Sequence, residues 1–452
     1  MRARSGITIP LLLLAVTNVS ALTDEEIFRN FRFNMINPGA RSLALGGAFV
    51  SLADDATAAQ ANPAGLSFLL KPEYFAEYRW VDNGGTASVV RQSLPTNVDA
   101  FVATQTNLED YGSPSFLSAV FPVGKWTLGV SLQVVLQKRN ATLNAFAFTF
   151  PDQPGTFLAN GSGFIDVQSV NYNASAGYRL SDRLSVGGSI AYSTLDVDSQ
   201  VISTIMDTGG AVAGTPLLEP YLDLLTRINA SDYAFGGNVG VIYRYSDQYS
   251  FAAVYRRAPK FSVPEALVPE ADLNGNGTVE DTEKALDIFG VQDRLGDSFP
   301  NQFNLPDSYG VSAAWNPTPR FTFVQDFERV LYSQLVDGYV AGVNILTSPD
   351  AKFTVDDAWQ YHAGAEYVLT GGKTPIALRA GLWTESDNTI RAVSTGTNSF
   401  STPAAFPGSD PQVHGTAGVG FVWRHGQFKL DLAMDLSNAY NQYLFSFIVR
   451  QR

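Results

Sequence analysis

Between Trp126 and Gln137 nearly every second residue is apolar. Trp126, Leu128, Val130, Leu132, Val134 and Leu136 fall on one face, and Thr127, Gly129, Ser131, Gln133 and Gln137 on the other, with Val135 the exception. Trp359, Tyr361, Ala363, Ala365, Tyr367 and Leu369 repeat the pattern against Gln360, His362, Gly364 and Glu366, and Phe428, Leu430, Leu432, Met434 and Leu436 do so against Lys429, Asp431, Ala433 and Asp435. A period of two predicts strands. Each run has about the 9–11 residues that a tilted strand needs to cross a bilayer, and aromatics mark its ends as an interfacial girdle does. A soluble sandwich also alternates, so the connections decide. Short turns recur at 123–125, 181–183, 246–248, 316–319, 370–373 and 424–427, and longer polar stretches alternate with them at 140–165, 196–232, 260–305, 334–357 and 385–412. Short connections on one side and long ones on the other predict an all-β fold, a transmembrane antiparallel β-barrel. Twelve strands can be counted from Trp126 to the C-terminus, and 72–123 must supply an even remainder. Two more strands make fourteen; an extra hairpin near Thr86–Thr106 makes sixteen.

The alternation begins only beyond Leu70. Before it, Asn37 to Leu66 (NPGARSLALGGAFVSLADDATAAQANPAGL) is rich in Gly and Ala and poor in bulky polar residues. It is predicted to be a hatch, or plug, packed inside the barrel. Asp54 and Asp55 offer a cap to a short helix over Ala56–Ala61. Pro63 stops that helix, because the residue before a proline is pushed out of the α region. Upstream, Thr23 to Phe33 reads as a capped helix with Ile27, Phe28 and Phe31 on one side. Arg2 and Arg4, the apolar run Ile7–Val16 and the small residues Val19-Ser20-Ala21 read as an export signal. The expected organisation is a signal peptide over 1–21, the hatch over 22–70, and the barrel over 71–452.

Composition narrows the function. The net charge of −13 argues against a nucleic-acid partner. The absence of cysteine excludes disulfides and thiol chemistry. Catalysis has little support: His362 and His414 are expected on the non-lipid face of their strands and His425 in a turn, with no Gly-x-Ser-x-Gly or His-Glu-x-x-His motif. An enzyme is therefore not expected. Asp272 to Glu283 (DLNGNGTVEDTE) fits a calcium loop at every position. Asp272, Asn274 and Asn276 would supply side-chain oxygens, Thr278 its carbonyl, Glu280 a contact through water and Glu283 a bidentate carboxylate around Ca2+, a structural brace for an external loop. Within another long connection, Leu218, Tyr221, Leu222 and Leu225 make an apolar helical stripe.

Gly39-Ala40-Arg41, Gly46-Gly47-Ala48-Phe49, Ala53-Asp54-Asp55-Ala56 and Asn62-Pro63-Ala64-Gly65-Leu66, in this order and spacing, resemble the FadL/TodX family of outer-membrane transporters for long-chain fatty acids and aromatic hydrocarbons. The resemblance implies fourteen strands with the hatch in the lumen. It implies that ligand enters from outside, passes the hatch and leaves sideways through a gap in the wall. Asn62, Pro63 and Ala64 would be the hatch element tied to transport, and the stripe from Leu218 to Leu225 an outer groove that first receives ligand. The implied setting is the outer membrane of a diderm bacterium. The implied partners are hydrophobic small molecules or lipids, the surrounding lipid and the barrel-assembly machinery, with the chain a monomer. A second expectation, from a different class, is a barrel of the same fold that anchors a secretion or surface-assembly system. The chain departs from the family in ending on Arg450-Gln451-Arg452 rather than on an aromatic residue.

Overall fold

The computed structural model describes residues 36–83, 86–94, 98–108, 110–149, 156–207, 222–263, 265–267, 298–299, 302–338, 352–372, 374–393 and 411–451. The segments expected to be a signal peptide (1–21), a helix (Thr23–Phe33) and a calcium loop (272–283) lie outside them.

Fourteen antiparallel strands close into a ring. In chain order they are β1 (Glu73–Asp82), β2 (Tyr111–Val123), β3 (Trp126–Thr149), β4 (Thr156–Arg179), β5 (Leu184–Asp207), β6 (Leu222–Arg244), β7 (Tyr249–Arg257), β8 (Ser308–Thr318), β9 (Phe321–Val330), β10 (Ala358–Leu369), β11 (Ile376–Glu385), β12 (Gln412–Trp423), β13 (Phe428–Leu436) and β14 (Asn441–Arg450). Each pairs with its sequence neighbour, and β14 returns to β1 from Glu73↔Arg450 to Asp82↔Asn441. The seam is reinforced at its turn end, where Arg450 Nε meets Glu73 Oε2 at 2.5 Å.

The choice between fourteen and sixteen strands has a structural answer. The hairpin near Thr86–Thr106 exists, as Thr86–Leu94 paired with Val98–Leu108, but it does not enter the ring. It pairs instead with the distal half of β3, Asp99↔Thr149 to Leu108↔Asn140. The polar stretches 140–165 and 196–232 are likewise ladder and not loop for most of their length, because β3, β4 and β5 each run 24 residues. At about 3.3 Å per residue such a strand is roughly 80 Å long, more than twice what the hydrocarbon core needs. The excess forms an extension of the sheet above the long-connection rim. This also corrects the helical stripe. Leu222 to Ile228 belongs to β6, with Leu222 opposite Ile205 and Leu225 opposite Ile202, so backbone pairing with β5 overrides the helical spacing. Leu218 and Tyr221 lie outside the described residues.

The wall alternates as the pattern requires. Trp126, Leu128 and Val130 are exposed outward, whereas Thr127, Ser131 and Gln133 are buried inward. One position reverses. The β3–β4 register shifts between Val134 and Leu136, and this one-residue bulge turns Leu136 into the interior, leaving it 1% exposed. Val135 faces inward as well, so the apparent exception in the pattern marks the bulge.

Candidate functional site

Residues 36–70 lie in the lumen as short helical pieces: Ala40–Ala44, Ala58–Ala61 and a 310 turn over Pro63–Phe68. Their small side chains pack a core with inward residues such as Phe75, Phe116, Val120, Ile242 and Val324. Pieces this short cannot satisfy their own backbone, so the wall must. Carboxylates on the wall accept plug N–H groups: Asp326 Oδ2 from Phe49 and Val50 at 2.9 and 3.0 Å, Glu77 from Gly39, and Glu73 Oε1 from Ala56 at 2.6 Å. Wall hydroxyls donate to plug carbonyls, Ser118 to Ala56 and Ser175 to Ala59, both at 2.9 Å. Glu73 thus serves both the plug and the Arg450 seam.

The expected Ala56–Ala61 helix starts two residues late. Glu73 takes the Ala56 N–H, and Asp55 Oδ1 accepts from Thr57 N at 3.1 Å, so the chain turns before it winds. Asp54 does not cap. It pairs with Arg41, whose guanidinium also forks onto Glu366 with two 3.0 Å hydrogen bonds. Burial alone would lower the pKa of Arg41, but Asp54 and Glu366 outweigh it and hold the charge firmly.

Asn62, Pro63 and Ala64 form the joint between helix and 310 turn. Asn62 is extended (φ −159°, ψ 104°), as a residue before proline should be, and its Oδ1 caps Ala64 N at 3.2 Å. Its Nδ2 donates to Val50 O inside the plug and to Val241 O in the wall. Three wall glycines make the seat. A Cβ on Gly187 or Gly177 would overlap the backbone of Pro63, and one on Gly240 would overlap Asn62 Oδ1. The seat was not legible in the sequence, since nothing local distinguishes these glycines from others in the strands. Arg256 was also missed. It joins Glu328 at 2.9 Å and, through Nη2, holds Asn37 Oδ1 at 2.8 Å and Ala61 O at 3.0 Å, so one wall residue grips the plug on both sides of its core.

Above the plug, an apolar cluster closes the mouth on the long-connection side. Phe261, Phe303, Leu305, Tyr332 and Leu335 meet Leu136, Ile165, Val167, Leu195 and Val197 of the wall. Tyr332 is fully buried, which pushes its phenol pKa up, and its hydroxyl accepts from Gln360 Nε2 at 3.0 Å. Between cluster and plug remains a cavity of about 60 Å³. His362 and His414 are buried on the inner face as expected. His362 Nδ1 lies 2.7 Å from Gly46 O, and His414 sits between Asp435 and Glu385.

Between β2 and β3 the ladder stops short of the end of β2. Their pairing runs from Val123↔Trp126 only to Phe116↔Gln133. Beyond that point Pro114 lacks an N–H, Ser115 is skipped in the register with β1, and Val135 bulges. There Ser113 Oγ donates to Gln137 Oε1 at 2.9 Å.

Comparison with known proteins gives a consistent picture. The family described as outer membrane protein transport protein (OMPP1/FadL/TodX) matches residues 30–442. A long-chain fatty acid transport protein of Salmonella typhi is 22% identical over 333 residues, 70% of this chain and 69% of its own. The fold is similar to that of a Pseudomonas aeruginosa FadL homologue, with a TM-score of 0.62 at 13% identity over 94% of this chain and 99% of the other. It is also similar to the Ralstonia pickettii toluene transporter TbuX, with a TM-score of 0.54 at 15% identity over 93% and 100%.

Proposed function

The chain belongs to the OMPP1/FadL/TodX family of outer membrane transport proteins, and from that premise we propose that it admits hydrophobic molecules, long-chain fatty acids or aromatic hydrocarbons, across the outer membrane by passive diffusion. A hydrophobic solute gains nothing from a water-filled pore, so a barrel that handles it is better stoppered and lined with apolar contacts. The observation that carries this reading is the plug. It occupies the lumen, yet it is held by separate hydrogen bonds, about 0.5–1.5 kcal/mol net for neutral partners and about 1.5–3 for charged ones such as Asp326 and Arg256. The cavity of about 60 Å³ between plug and mouth cluster is far below the few hundred Å³ of an ordinary ligand site, which supports passage by a shift of the plug.

Gating is assigned to Asn62-Pro63-Ala64. The joint cannot continue the preceding helix, and its grip on Val50 and Val241 is exchangeable. Lateral release is assigned to the β2–β3 separation above Phe116 and Gln133, where the ladder stops short of the end of β2 and the bulge at Val135 begins. The test is uptake of labelled oleate or toluene by cells lacking and carrying the gene. Uptake that depends on the gene and falls with Pro63→Ala supports the reading; equal uptake in both strains overturns it.

A second reading, an anchor for a secretion or surface-assembly system, draws support from the 24-residue strands that outrun the bilayer. Recovery of a stoichiometric partner together with gene-independent uptake would favour it.

A further inference from the structure

The short-turn rim carries a charge opposite to that of the chain. Against a net −13 overall, its turns expose Lys71 ahead of β1, Lys125 between β2 and β3, Arg183 between β4 and β5, Arg320 between β8 and β9, and Arg424 between β12 and β13. The acids exposed on the described turns of this rim are Asp182 and Asp247. We propose that this ring of cations binds the phosphodiester head groups of acidic glycerophospholipids in the leaflet that the short turns face. The barrel then gathers an anionic annulus of lipid around one rim. This goes beyond the transport reading and does not depend on what the barrel carries.

Three observations converge. The first is height. Tyr74, Phe121, Trp126, Tyr249, Trp315 and Tyr367 are exposed on the outer wall at the strand ends nearest these turns. Such rings sit at head-group level, so the turns just beyond them lie beside the phosphates. Arg424 makes the link directly, with its Cζ 5.5 Å from the ring centroid of Phe428, the first residue of β13. The second observation is that these charges are free. At the long-connection rim Arg139, Arg329 and Arg391 are held by Asp166, Asp357 and Asp387, and at the short-turn rim Arg450 is held by Glu73. None of the five turn cations has an ion-pair partner among the described residues. Arg179 and Arg244, at the same level, turn inward onto Ser67 O and the Phe68 ring of the plug, so they are not counted with the five. The third is distribution. The cations are dealt singly to separate turns round the ring, which suits a continuous leaflet; a docked protein would need them gathered on one sector. A basic side chain beside a membrane is attracted to anionic lipid within about a Debye length of the surface.

The test is electron spin resonance on the full chain reconstituted in phosphatidylcholine vesicles, with spin-labelled phosphatidylglycerol or spin-labelled phosphatidylcholine as the probe. The immobilised fraction of each probe reports its association with the barrel. At low salt phosphatidylglycerol is expected to associate about fivefold more strongly, as one cation per head group would give. The preference should fall toward unity in about 1 M sodium chloride. Lys71→Gln, Lys125→Gln, Arg183→Gln, Arg320→Gln and Arg424→Asn together should bring the two probes within about twofold. Asn is chosen for the last because it tolerates the left-handed backbone there, with φ at 48°. Asp182→Asn with Asp247→Asn, which removes the exposed acids, should strengthen the preference. Heat-modifiable gel mobility reports that each variant barrel has folded. A wild type without preference, a preference unmoved by salt or by the five-site variant, or one weakened by loss of the two acids would each overturn the lipid assignment. The transport reading would stand in every case, because it is read from uptake.

Discussion

Asp326 shows how much a single side chain does in this lumen. Its Oδ2 accepts two consecutive plug amides, and its other oxygen is hydrogen-bonded by Ser312. Asp326→Ala leaves two buried N–H groups without an acceptor, at about 1–3 kcal/mol each. The expected result is a lower guanidinium midpoint in detergent, with Asp326→Asn losing less because its amide oxygen still accepts. Gly187 makes a complementary prediction. Any side chain there collides with Pro63, so Gly187→Val should unseat the joint while the ring persists. Cells carrying it should become sensitive to large antibiotics that the outer membrane normally excludes, with gel mobility of the barrel unchanged. Of these residues, Asn62 and Pro63 were legible in advance because proline dictates its neighbour's backbone whatever surrounds it. Asp326, Arg256 and Gly187 were not. Their roles exist only once distant strands bring them against the plug, and an inward acid or glycine in an alternating strand looks like any other polar-face residue.

At the scale of elements, alternation was readable where lipid bathes one face and failed where it does not. Trp126 to Val134 announced itself because apolar residues there must face outward. Leu136 was misplaced because an apolar residue one bulge later suits the mouth cluster equally well. Beyond the bilayer the apolar residues, such as Leu143, Phe146, Val201, Ile202 and Met206, no longer keep to one face, which is why Asn140–Thr149 and Ser199–Asp207 read as loops. The chance spacing of Leu222 and Leu225 suggested a helix where the β5 edge offers a continuous ladder. The interrupted β2–β3 join has a direct test. A Ser115→Cys, Val135→Cys pair, in a chain with no other cysteine, should reduce ligand uptake when oxidised and restore it with reductant. Uptake indifferent to the redox state would remove lateral release at this join. The segment 272–283 is proposed as a calcium site on sequence spacing. Calorimetry should show calcium heat in the wild type that Asp272→Ala and Glu283→Ala abolish.

For the whole molecule, a closed ring, a plug held by the wall and an apolar mouth cluster together stopper the lumen among the described residues. Purified protein in planar bilayers is therefore expected to show negligible ion conductance, and Gly187→Val should raise it. A large steady conductance in the wild type would contradict the stopper. The broad architecture, barrel plus hatch, was written in the chain because the bilayer imposes one simple rule on every spanning strand. The fine architecture was not, because it depends on which inner residues meet.

The Glu73 carboxylate reaches in two directions, with one oxygen on the Ala56 amide of the plug and the other on Arg450 in the last spanning strand. The last strand of the ring and the plug therefore converge on one acid. A nascent cylinder that meets itself with no stopper inside leaves that acid half engaged at the very place where its two ends must join. Sealing and corking are thereby coupled into one event, so that an empty, leaking ring is the less stable product of assembly.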